Sequence, residues 1–106
     1  MDFYQLIDEV KLWIRVIKIK YASHLTVKCV SEEKNMLRYI INSKNYIAEL
    51  LVEPDGFHKH RYVSFTAMRL DDDVSNQDSY FYFDNDKSTL EDIMKNLEKG
   101  VGCILR

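Results

Sequence analysis

The chain has 106 residues, 46% of them hydrophobic and 30% charged, with a formal net charge of −2. That balance fits one soluble globular domain, and only three glycines and one proline leave no room for a flexible linker or a low-complexity tail. Apolar runs of about four residues fall far short of the roughly 20 that span a bilayer, and there is no internal repeat.

Asp2 is placed to cap a helix whose apolar stripe runs through Phe3, Leu6, Ile7, Val10, Trp13, Ile14, Ile17 and Tyr21. Spacings of three and four predict an amphipathic helix. Its later part, WIRVIKIKY, also alternates like a strand, so the helix end stays open. The acids of MDFYQLIDEVKLW and the lack of a small-residue cleavage site argue against a secretory signal, which places the chain in the cytoplasm.

From His24 to Val30, Leu25, Val27 and Cys29 alternate with Thr26 and Lys28, the pattern of a half-buried strand. SEEKN reads as a turn. Met36 to Asn42 reads as a strand because a Tyr-Ile-Ile run suits a sheet; a helix over Ser31 to Asn42 competes. Ser43-Lys44-Asn45 reads as a hairpin turn before a strand from Tyr46 to Glu53. Glu53-Pro54-Asp55-Gly56 is the strongest turn signal, combining a fixed φ, an Asp that bonds its own backbone and a Gly. A strand over Arg61 to Leu70 follows, then a polar loop over Asp71 to Asp78 and a short aromatic strand over Ser79 to Asp84. Ser88 with Glu91 reads as the capping box of a last helix, with Leu90, Ile93, Met94, Leu97 and Val101 buried and Gly100 at its C-terminal cap. The tail VGCILR is apolar enough to pack on the domain. The expected fold is α+β: an antiparallel meander of about five strands with the N- and C-terminal helices on one face.

Cys29 and Cys103 lie far apart in apolar contexts and are expected to be buried free thiols. Neither has the paired spacing of a zinc site. His58 and His60, two apart beside Glu53 and Asp55, form a pattern able to ligate zinc, but an exposed hairpin loop is the preferred reading. The aspartates of residues 71–78 lack the Gly and the terminal Glu of a calcium loop. No nucleophile or phosphate-cradling glycine loop accompanies the acids. No catalytic residue, metal or cofactor is therefore expected. Lys11, Arg15 and Lys18 share a helix face, but three charges without interleaved aromatics read as a solvated face rather than a nucleic-acid site.

Charge is unevenly distributed. Residues 11–44 are mostly basic, whereas Arg69 to Asp92 holds eight acids and, after Arg69, only Lys87. Asp71, Asp72, Asp73, Asp78, Asp84 and Asp86 are the candidate attractors of a basic partner. Tyr80 and Tyr82, expected to stand outward from the aromatic strand, are the candidate anchors.

The run EPDGF, RYVSF, YFYFDND and STLEDIMKNLEKG, from Glu53 to Gly100, resembles small α/β immunity proteins of bacterial contact-dependent inhibition and polymorphic toxin systems. The resemblance implies a non-enzymatic protein that binds one cognate toxin domain and blocks its active site or substrate surface. Many such toxins are nucleases with basic clefts, which the acidic segment would suit. A dimeric secretion-type chaperone or regulatory adaptor is the alternative. A small metal-dependent hydrolase using His58, His60 and Asp55 is the third.

Overall fold

The computed structural model describes residues 2–54, 61–70 and 79–106. Helix α1 (Phe3–Lys20) is followed by strands β1 (Thr26–Glu33), β2 (Met36–Asn42), β3 (Tyr46–Val52), β4 (Val63–Arg69) and β5 (Tyr80–Phe83), then by helix α2 (Leu90–Ile104). The strands form a five-stranded sheet in the order β1-β2-β3-β4-β5, and every neighbouring pair is antiparallel. The α+β meander read from the pattern is the fold observed.

Asp2 caps α1: its Oδ1 accepts the Tyr4 N–H at 2.9 Å, satisfying one of the donors that a helix start leaves unpaired. Leu6, Ile7, Val10, Trp13, Ile14 and Ile17 are buried along one face. The helix ends at Tyr21, whose N–H donates to the Ile17 carbonyl at 3.0 Å.

Met36 to Asn42 is a strand, and Leu37, Tyr39 and Ile41 alternate into the core as a strand requires. The turn before it is tighter than SEEKN suggests. β1 runs on to Glu33, leaving Lys34 and Asn35 as the turn, and a register shift between Cys29 and Ser31 absorbs the extra residue.

One face of the sheet carries both helices. Leu37, Tyr39, Ile41, Ala48, Leu50, Val52, Val63, Phe65 and Ala67 are buried there with the inward stripes of α1 and α2. The indole of Trp13 donates to Glu98 Oε1 at 2.6 Å, tying α1 to α2 on that side. Phe3 packs on Tyr62 with ring centroids 5.0 Å apart, and the end of the chain returns to the β2–β3 turn, where Asn45 Nδ2 donates to the Arg106 carbonyl at 3.3 Å.

Three local expectations are corrected, two of them in the C-terminal part. The capping box is one residue later than Ser88 and Glu91: the Asp92 N–H donates to Thr89 Oγ1, and the Thr89 N–H to Asp92 Oδ2, both at 3.1 Å. Ser88 instead accepts the Asn85 N–H at 3.0 Å. Gly100 is not a cap but lies inside α2, because Val101, Cys103 and Ile104 continue the buried stripe. A Cβ at Gly100 would sit 2.6 Å from Phe65 Cε1, so the glycine lets the helix approach the sheet. Neither cysteine is in a disulfide, but only Cys103 is buried; Cys29 on the edge strand is exposed. No helix among the described residues is long and apolar enough to cross a membrane.

Candidate partner-binding surface

The acidic segment divides into parts with different fates. Asp71, Asp72, Asp73 and Asp78 lie outside the described residues. So do Asp55, His58 and His60. Among the described residues, no group of His, Cys, Asp and Glu is arranged to hold a metal ion.

The tyrosines of β5 do not stand outward. Register sets Tyr82 beside Phe65 and Tyr80 beside Ala67, both on the covered face. Tyr80 meets Phe65 edge to face at 6.0 Å, and its hydroxyl donates to the Asn96 carbonyl of α2 at 2.8 Å. Burial pushes the phenols of Tyr80 and Tyr82 up from the ordinary tyrosine value. The residues that do stand outward are the phenylalanines, Phe81 and Phe83. The pattern YFYF fixed two faces, and α2 decides which one is covered.

Asp84 is not a surface attractor either. It is 1% exposed, and its Oδ1 accepts the backbone N–H groups of Arg61, Tyr62 and Val63 at 3.0, 2.8 and 2.8 Å. A carboxylate bonded in this way organises the chain entering β4 rather than meeting a partner. Asp86 is exposed, as expected of an attractor, and Arg61 Nη1 reaches its carbonyl at 3.4 Å.

The sheet face opposite the helices is a surface the sequence reading did not single out. Antiparallel register aligns Ile40, Glu49, Thr66 and Phe81 across it, with Arg38 and Leu51 in the next row and Ile47 and Met68 on the other side. Ile47 is 41% exposed, Met68 48% and Phe81 55%. Ile40, Ile47, Glu49, Thr66 and Met68, with the backbone at Ala48, line a shallow depression of about 280 Å³. Its charged rim is self-neutralising: Arg38 Nη2 lies 2.7 Å from Glu49 Oε2, and Arg38 Nε donates to the same oxygen at 2.8 Å. Exposed apolar side chains grouped in this way, with polar groups among them, have the composition of surfaces that can associate with a partner. Its trace in the sequence was the doubled apolar residues Ile40-Ile41 and Leu50-Leu51, which place a large side chain on each face of a strand.

Beside the bulge of β1, Tyr39 donates its hydroxyl to Glu32 Oε2 at 2.8 Å, and Cys29 Sγ lies 4.0 Å from the same oxygen. Burial, then the bond to Glu32, raises the Tyr39 phenol well above the ordinary value. The group is a buried tyrosine satisfied by an edge carboxylate.

No protein family, characterised protein or solved structure compared with the chain matches it.

Proposed function

We propose that this protein is a non-enzymatic binding module, an immunity protein that neutralises one bacterial toxin domain by covering its active site or substrate surface. One observation carries the binding role: the open sheet face presents Ile47, Met68 and Phe81 beside the internally balanced Arg38–Glu49 ion pair. Such a face supplies area and desolvation for a partner without a reaction centre. The form of the partner, a toxin with a basic cleft, rests on the resemblance from Glu53 to Gly100 and on the acids of residues 71–92. In this reading Asp71, Asp72, Asp73, Asp78 and Asp86 accelerate encounter, while the apolar face holds the complex. Tyr80, Tyr82 and Asp84 support the scaffold beneath it.

The test is a binding measurement with the toxin domain encoded beside this chain. Phe81→Ser with Met68→Ser is expected to raise Kd about a hundredfold, mostly through faster dissociation. Asp71→Lys with Asp73→Lys is expected to slow association and flatten its salt dependence. Unchanged affinity in the first pair would remove the open face from the interface. A chain that captures many unrelated unfolded clients, rather than one folded domain, would favour the chaperone reading.

A further inference from the structure

Helix α1 carries a second apolar stripe. Leu12, Val16 and Ile19 are 55%, 56% and 79% exposed. At about 100° per residue they centre about 150° around the helix from Val10, the middle of the buried stripe. Their spacing of four and then three is the seam pattern of a helix that packs on another helix. The helix already satisfies the core with its other face, so this stripe contributes nothing to the fold. It lies on the far side of the molecule from the open sheet face, and its occupant is a separate question.

The charges along α1 indicate what covers it. The first half carries Asp8 and Glu9, both exposed, and the half-buried Lys11, whereas the second half carries no acid and has Arg15, Lys18 and Lys20, all exposed. A helix with this polarity is complementary to itself in one orientation only, reversed. We propose that α1 is a homodimer seam in which two copies of the helix pair antiparallel about Val16. Leu12 then meets Ile19 of the second copy, Ile19 meets Leu12, and Val16 meets Val16. Glu9 and Lys20 project on the same flank of the helix, and like flanks meet in an antiparallel pair. Their displacements from the dyad are about 10.5 and 6 Å. The offset of about 4.5 Å is within the reach of a lysine stem, so each interface holds two Glu9–Lys20 pairs. The helix dipoles oppose as well. Arg15 falls near the dyad on the other flank and is the one like-charge approach of the arrangement. A parallel pair would bring all the bases of the second half together.

Sedimentation velocity of the full chain over a wide concentration range tests the seam. The wild type is expected to pass from monomer to dimer as concentration rises. Leu12→Glu with Ile19→Glu is expected to remain monomeric with an unchanged melting temperature, since both side chains are exposed. Glu9→Lys alone and Lys20→Glu alone are each expected to weaken the dimer about tenfold, and the double reversal to restore it. A wild type that stays monomeric at every concentration overturns the proposal. So does a dimer indifferent to the Leu12 and Ile19 changes, or a double reversal as weak as its parents. Flotation with anionic vesicles that depends on Leu12 and Ile19, in a chain that never dimerises, would assign the stripe to a lipid surface instead. Loss of toxin binding with the dimer intact would leave this seam standing and count only against the open face.

Discussion

Leu50 and Leu51 are adjacent in β3, yet they belong to two surfaces with different work. Leu50 points beneath the helices and is fully enclosed beside Phe65. Leu51 points to the open side, in a row with Arg38. The same contrast repeats between Ala67 and Met68, and between Tyr82 and Phe81. Both faces of the sheet are rich in apolar side chains, but the helices cover only one. The covered face accounts for the stability of the domain, because its side chains leave water when the chain folds. The open face gains little from folding and keeps its apolar area available for association.

That contrast can be broken most strongly from the covered side. Phe65→Ala should destabilise the domain by about 4 kcal/mol, read from the shift of a urea unfolding midpoint. A change below about 1 kcal/mol would mean that this face does not govern stability. Asp84→Ala, which strands the N–H groups of Arg61, Tyr62 and Val63, should cost about 3 kcal/mol. Asp84→Asn retains an oxygen acceptor and should cost less. Gly100→Ala drives a methyl group into the Phe65 ring and should cost about 2 kcal/mol by the same measurement.

A smaller effect concerns alkaline pH. Tyr39 titrates higher in the folded protein than its ordinary value of 10.0, first because of burial and then because of Glu32. Its contribution is therefore fully present below pH 10 and is lost as pH climbs from there toward the raised folded value, because the unfolded chain releases its proton first. Melting temperatures followed from neutral pH past pH 10 should fall for the wild type and fall less for Tyr39→Phe. The smallest expected change in stability is on the open face. Ile47→Ser and Met68→Ser should each shift folding by no more than about 0.5 kcal/mol. Substantial unfolding by either would erase the distinction between the faces.

Much of the fold was legible because periodicity reports burial directly. The α1 stripe and the alternation in Tyr46 to Val52 needed no tertiary information. The strand-like alternation in WIRVIKIKY has a physical origin: Val16 and Ile19 belong to the outer stripe, and interleaving two stripes on one helix mimics a period of two. Gly100 was misread locally, although Leu97, Val101 and Ile104 continue the helical spacing past it. The fates of Tyr80, Tyr82 and Asp84 were not local at all. YFYF defines two faces, and α2, with its Asn96 carbonyl, selects between them. Nothing adjacent to Asp84 announces that three backbone donors from residues 61–63 will converge on it. For that reason the acidic run looked uniform in sequence, although Asp84 is buried and Asp86 is exposed.

The Asp84 clasp has a consequence for how β4 and β5 hold together. The Glu53 N–H donates to the Tyr62 carbonyl at 2.9 Å, and Asp84 holds the next three amides. The connection between β3 and β4 is thus pinned at both ends by bonds that belong to the sheet. The residues entering β4 therefore take their backbone bonds from a side chain at the end of β5, so a change that displaces Asp84 also loosens the start of β4. The last two strands are in this way locked together at one end, and they are expected to open as one unit rather than one at a time.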